Sequence, residues 1–284
     1  MSLSSTKPTL VMGARGNVGK LVLESLITHG MPVRASSRKL TAGDFPPEID
    51  AVAADLTDPD SLAVAFEGVG QVFLYANHDG VDGVIESART AGVDRLVLMS
   101  SGSVVHPTSA GNAITEEHRE VEEAFAAAPD LTVVPIRPLV LAMNALGWAW
   151  PIAAGRPVPL YRPDAMTAPI HEADIAAVVV AALRGSDDVS DMLTGPARTS
   201  QREQVAMIGR AIGQEIAVVE QSRPEALVHL SRFMPETEAA AVLAFLDDAE
   251  AGNSPATATV EQVLGRPPVG FDVWAADHAG DFRR

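Results

Sequence analysis

A chain of 284 residues is long enough for one large α/β domain with a smaller lobe, or for two domains. Hydrophobic residues make up 47% of it, which supports a full core and excludes global disorder, while a net charge of −16 argues against direct binding to DNA or RNA. Cysteine is absent, so disulfides, thiolate metal sites and cysteine nucleophiles are excluded.

The first ten residues are polar and lead into a strand. Neither a signal peptide nor an apolar run of about 18 residues follows, so a soluble cytoplasmic protein without membrane contact is expected. The strand ends in Gly13-Ala14-Arg15-Gly16-Asn17-Val18-Gly19, and an apolar-periodic helix from Asn17 to Thr28 follows, stopped at Gly30. Strand, glycine turn and helix in that order is the context of a dinucleotide site. Gly13 permits the sharp turn, Gly16 clears space for a pyrophosphate, and Gly19 is expected to let the helix pack close to the strand. The pyrophosphate would rest on the N–H groups of the helix N-terminus, where the dipole favours negative charge.

Strands are expected at Val33–Ser37, Ala51–Ala54, Gln71–Tyr75, Arg95–Met99 and Thr132–Arg137. Helices are expected from the Asp58-Pro59-Asp60-Ser61 start, over Asp79–Ala91 and over Ile114–Ala127. The strands are continuous apolar runs rather than alternating ones, which predicts a parallel sheet covered on both faces. The fold class is therefore α/β, a doubly wound parallel Rossmann sheet with a small, mostly helical C-terminal lobe. Residues 1–138 are assigned to the nucleotide-binding core, and residues 139–284 complete the sheet and form the substrate lobe. In that second part, Asn144–Pro159 reads as irregular and Ala173–Leu183 as a buried helix. A short strand at Met192–Thr194 and helices near Ser200–Ile212, Pro224–Leu230 and Thr237–Asp248 follow, with a last helical pair after Gly252-Asn253-Ser254-Pro255.

The end of the second strand selects the nucleotide. It reads Ala35-Ser36-Ser37-Arg38-Lys39, without a carboxylate. Arg38 offers a planar fork to a 2′-phosphate, Ser37 a hydroxyl and Arg15 a second cation, so NADP(H) is expected over NAD(H). Asp55, after the third strand, either reaches the adenine edge or is an ordinary helix-leading turn.

The chain resembles the NmrA-like branch of the atypical short-chain dehydrogenase/reductase superfamily. The matching pieces are GARGNVG, VRASSRK, AADLTDPDSL, AGVDRLVLMSS, EHREVEEAF, Ile136-Arg137-Pro138, the segment around Asp174, LTGPARTS and the terminal VLGRPP with FDVWAADHA. The resemblance implies cofactor contacts at Gly13, Arg15, Gly16, Asn17, Val18, Gly19, Arg38, Asp55, Leu56, Tyr75, Ala76 and Asn77. It implies a catalytic serine near Ser101 and places His118 where most of the superfamily has the lysine of Tyr-x-x-x-Lys. That dyad is absent, because Tyr75 is followed four residues later by Asp79 and Tyr161 by Ala165. His118 can donate a proton near neutral pH or bind the nicotinamide ribose.

His78, Ser100, Asn144 and Trp148 are expected to contact substrate, with Trp150 a further aromatic candidate. Asp174 is expected to interact structurally with the first turn of its helix. Glu120, Glu122 and Glu123 read as a solvated acidic face, and no grouping has metal-ligand spacing. The expected activity is NADPH-dependent reduction of a small apolar or aromatic carbonyl, quinone or enone. An NADP(H)-sensing regulator without turnover, or a tailoring enzyme of secondary metabolism using the same cleft, are the alternatives. A monomer or homodimer is expected.

Overall fold

A computed structural model describes residues 7–283, so the first six of the polar opening residues lie outside the described residues. The chain forms two compact units. The first comprises the chain up to Val104, Glu117–Arg137 and Ile175–Asp191. The second comprises Val105–Glu116, Pro138–Asp174 and the chain from Met192 onward.

Strands and helices alternate along the first half: β1 (Thr9–Val11), α1 (Asn17–Thr28), β2 (Val33–Ser37), β3 (Asp50–Ala53), α2 (Pro59–Phe66), β4 (Gln71–Tyr75), α3 (Val81–Ala91), β5 (Arg95–Met99), α4 (Ala113–Ala126) and β6 (Val133–Pro138). The pairings are all parallel, in the order β3-β2-β1-β4-β5-β6. The chain therefore winds outward from β1 to β3 and restarts on the other side of β1 with β4. That reversal makes a switch point between the carboxyl ends of β1 and β4, where open α/β sheets bind ligands.

Leu10, Met12, Val72, Leu74, Leu96 and Leu98 point into one core with Leu62, Phe66, Val84, Val121 and Phe125 from α2, α3 and α4. The intervening residues Val11, Phe73 and Val97 are equally buried. Both faces are covered, as the unbroken apolar runs require. Local chemistry sets the helix ends. The Asp58 carboxylate accepts from the Asp60 and Ser61 N–H groups at the start of α2, and Gly92 closes α3 in the left-handed conformation. The helix expected from Asp79 instead opens as a 3-10 turn over His78–Gly80. The Asn77 side chain accepts the Gly80 N–H at 2.8 Å, and a Cβ on Gly80 would lie 2.0 Å from the Leu56 carbonyl oxygen.

The remaining elements are α5 (Ala149–Ala153), β7 (Val158–Leu160), β8 (Met166–Thr167), α6 (Glu172–Leu183), β9 (Met192–Leu193), β10 (Thr199–Ser200), α7 (Gln201–Ile212), β11 (Val218–Glu220), α8 (Arg223–Leu230), α9 (Glu236–Glu250), α10 (Thr259–Leu264) and α11 (Phe271–Asp277). In the second unit β7 pairs with β11 and β8 with β10. These strands of two or three residues were absent from the sequence expectation, since such short pieces carry no readable period. The second unit has its own core, in which Ile152, Val158, Leu160, Ile208, Phe271, Trp274 and Phe282 meet. No helix among the described residues is long and apolar enough to cross a membrane.

Candidate active site

The glycine turn leaves β1 with Gly13 at φ +62°, a conformation that side-chain-bearing residues rarely adopt. The Gly16 N–H bonds back to the Gly13 carbonyl at 2.8 Å, and Gly16 then serves as the extended N-cap of α1. A Cβ on Gly19 would lie 2.3 Å from the Gly13 carbonyl oxygen and 2.9 Å from its carbon. The close approach that Gly19 permits is thus to the backbone of the turn itself, where the sequence reading had placed the strand. Of the first N–H groups of α1, that of Gly19 is accepted by the Tyr75 hydroxyl at 3.2 Å. Those of Asn17 and Val18 have no protein acceptor among the described residues. Two open N–H groups at a positive helix end, over a turn cleared of side chains, fit a pyrophosphate.

Past β2, the Ser37 hydroxyl donates to the Lys39 carbonyl at 2.5 Å and shapes the turn that carries Arg38. Arg38 is exposed and makes no hydrogen bond among the described residues. Arg15 is paired instead with Asp44 at 3.1 Å. The Thr41 N–H and hydroxyl, helped by Arg15, hold the Asp44 carboxyl below its usual range. Asp55 accepts the Thr57 N–H at 3.0 Å and the Thr57 hydroxyl at 2.9 Å, which, with the charge of Arg38, lowers its pKa. These bonds build the turn that leads into α2. The Leu56 carbonyl packs on Gly80, so the β3 and β4 ends of the site touch.

At the carboxyl ends of β4 and β5, the Ala76 N–H bonds to the Met99 carbonyl at 2.9 Å. His78 is half exposed, and its Nε2 lies 3.0 Å from a carboxylate oxygen of Glu120 on α4. Ser101 sits in a local turn, its hydroxyl 2.8 Å from that of Ser103 and accepting the Ser103 N–H at 3.2 Å. His118 lies on α4, four residues before Glu122, and is partly buried.

Ser100 departs from its expected substrate role. It is 5% exposed, and its hydroxyl donates to Glu122 Oε1 at 2.6 Å. Glu122 also accepts from Arg137 Nε at 2.9 Å and from the Arg137 Nη2, while Arg137 Nη1 donates to the Ser190 carbonyl at 2.6 Å. Glu122 is therefore no solvated surface acid but the hub that fixes the ends of β5 and β6. Sequence reasoning missed it because Arg137 lies on another element. The arginine in Ile136-Arg137-Pro138, at the end of an apolar strand, was the available signal.

Asn144 is exposed on a 3-10 turn of the second unit. Trp148 packs against that unit's core, and Trp150 is exposed, with Arg156 over its ring at 5.2 Å. Asp174 is fully buried; it accepts the Val269 N–H at 2.6 Å and lies 2.8 Å from Arg266, so its side-chain partners come from the chain after α10 rather than from the first turn of its own helix. Beside it is a cluster that the sequence did not disclose. Buried Glu172 accepts from Trp274 Nε1 at 2.9 Å and lies 2.6 Å from His278 Nε2, while His278 Nδ1 lies 2.8 Å from Asp281. Burial opposes charge on His278, but Asp281 and Glu172 outweigh it and raise its pKa. No group of three or more His, Cys, Asp or Glu among the described residues is placed to hold a metal.

A doubly wound parallel sheet with a glycine turn at its switch point defines a nucleotide-binding protein. The family described as NAD(P)H-binding matches residues 13–186, and the chain belongs to it. The chain is 34% identical, over 96% of its length and 98% of the relative's, to (4-alkanoyl-5-oxo-2,5-dihydrofuran-3-yl)methyl phosphate reductase of Streptomyces griseus. Its fold is that of the NADPH-dependent quinone oxidoreductase QOR2 of Escherichia coli, solved with NADPH, at a TM-score of 0.78 and 20% identity over 95% of this chain and 99% of the other. The triphenylmethane reductase of Citrobacter sp., complexed with NADP(H), superposes at 0.75 with 16% identity over 95% and 99% of the two chains.

Proposed function

We propose that this protein is an NADPH-dependent reductase of a conjugated carbonyl acceptor, a quinone or an enone, working without a Tyr-x-x-x-Lys dyad. The observation that carries the reading is the Gly13–Gly19 turn at the switch point, with the Asn17 and Val18 N–H groups open to a pyrophosphate. The Streptomyces griseus relative supports the substrate class, since its name describes an oxo-dihydrofuran bearing an alkanoyl group.

When bound, NADPH supplies a hydride, and the acceptor takes that hydride and one proton. The residues of this chain bind and orient. The α1 N-terminus holds the pyrophosphate, while Arg38, carried on the turn that Ser37 shapes, holds the 2′-phosphate, with Arg15 joining it on leaving Asp44. The Ser101 hydroxyl donates to the acceptor oxygen, and His118 or water supplies the proton. Glu122 keeps Ser100 and the β5 end in place beneath them. A quinone suits such a site because its ring delocalises the product anion, so alignment and water exclusion do most of the work.

Mixing the protein with NADPH and a panel of quinones and acylated furanones should give saturable oxidation. Ser101→Ala and His118→Ala should each lower kcat by about tenfold to a hundredfold or more, as the loss of a positioned donor or acid does. Tight NADPH binding with no oxidation of any acceptor would instead establish a sensor. Arg38→Ala should weaken NADPH by about ten- to a hundredfold and leave NADH unchanged, which calorimetric titration of both nucleotides reads directly.

A further inference from the structure

Helix α1 begins on a residue that cannot cap it. An N-cap Ser, Thr, Asp or Asn accepts the N–H of the second or third helical residue through its own side chain, and Gly16 has none. The acceptor comes from β4 instead, as the Tyr75 hydroxyl, 56 positions away in sequence and 3.2 Å from the Gly19 nitrogen. The ring is held edge-on to Phe73, with centroids 5.2 Å apart, and lies against Gly13, where a Cβ would come within 2.8 Å of a ring carbon. A Cβ on Gly16 would stand 3.7 Å from the Tyr75 oxygen. The hydroxyl therefore borders the space that Gly16 keeps open, into which a pyrophosphate fits. Burial raises the phenol pKa, so the proton stays on the oxygen at neutral pH. That proton has no acceptor among the described residues.

We propose that the Tyr75 hydroxyl is a hydrogen-bond donor to the dinucleotide pyrophosphate: it accepts the Gly19 N–H and gives its own proton's bond to a phosphate oxygen in the space beside Gly16. The family resemblance marks the position as a contact and assigns it neither atom nor chemistry. The inference rests on the dinucleotide reading above. In this arrangement the third N–H of α1 reaches the phosphate through the phenol, while Asn17 and Val18 reach it directly.

Tyr75→Phe keeps the ring and removes only the hydroxyl. Titrated with NADPH and with NADH, it should bind both about ten- to a hundredfold more weakly, the effect of losing a charge-assisted bond. The NADPH:NADH affinity ratio should stay as in the wild type, because the 2′-phosphate is untouched. At saturating NADPH, the pyrophosphate phosphorus signals of the bound nucleotide should shift between wild type and variant while the 2′-phosphate signal holds. Gly16→Ala, whose φ of −76° suits alanine, should weaken both nucleotides by filling the same space. Unchanged or tighter binding by Tyr75→Phe overturns the proposal. So does weaker binding with unmoved pyrophosphate signals, which would leave Tyr75 a helix cap only. A wild-type protein that binds neither dinucleotide would bring down the dinucleotide reading itself.

Discussion

Gly19→Ala is expected to cut affinity for NADPH and NADH by at least about a hundredfold, a larger loss than any other single change in the turn. Its backbone is helical, so alanine faces no conformational penalty there and gains up to about 1 kcal/mol of helix propensity. The clash decides the sign. The new Cβ would sit 2.3 Å from the Gly13 carbonyl oxygen and 3.2 Å from the Ala14 Cα, both backbone atoms that cannot rotate aside. Overpacking of this kind costs about 1–3 kcal/mol. Relief requires the turn to lift from α1, which displaces the open N–H groups and parts Gly19 from Tyr75. Losing two hydrogen bonds to a charged pyrophosphate, at about 1.5–3 kcal/mol each, is enough for a hundredfold loss of affinity. Calorimetric titration of both nucleotides, beside a thermal melt, measures binding and stability separately. A Gly19→Ala protein that binds NADPH like the wild type would show that the turn does not hold the pyrophosphate.

Glu172→Ala is expected to destabilise the second unit by about 3–5 kcal/mol, the cost of breaking a buried pair by removing one partner. The Trp274 indole is fully buried and would lose the acceptor of its N–H, and His278 would lose the carboxylate at 2.6 Å. Glu172→Gln, which keeps an oxygen for Trp274 but drops the charge, should fall between. The pH dependence follows from the raised pKa of His278. Its charged form stabilises the fold fully below the unfolded value near 6.5, and that contribution is lost as pH rises through the higher folded value. The stability gap between wild type and Glu172→Ala should therefore narrow at alkaline pH. Denaturant titrations on both sides of neutrality test this, and a gap that widens with pH would contradict it.

The first unit was legible because its signals are local. The extents of α1, β2, β4 and β5 match the sequence reading to the residue, since each is bounded by a glycine, a proline or a polar turn, with an apolar run filling β4 and β5 and a helical apolar period marking α1. The turn after β1 was legible for the same reason, as a positive φ at Gly13 demands glycine whatever surrounds it. The side-chain partners were not. Ser100 reads as a polar residue at a sheet edge, a place for substrate, until α4 is seen to bring Glu122 against it. Glu122 reads as one of three exposed acids until Arg137 arrives from β6.

What the sequence determined by itself is the parallel α/β order, the switch point and the glycine turn, because backbone sterics and side-chain periodicity act between near neighbours. Only the tertiary structure decided that Tyr75 caps α1, that Asp44 holds Arg15, and that Glu172 joins Trp274 and His278. Those pairs lie 56, 29, 102 and 106 positions apart. A polar side chain carries no mark of a distant partner, and its pairing is fixed only when folding removes both groups from water and makes an unpartnered one costly.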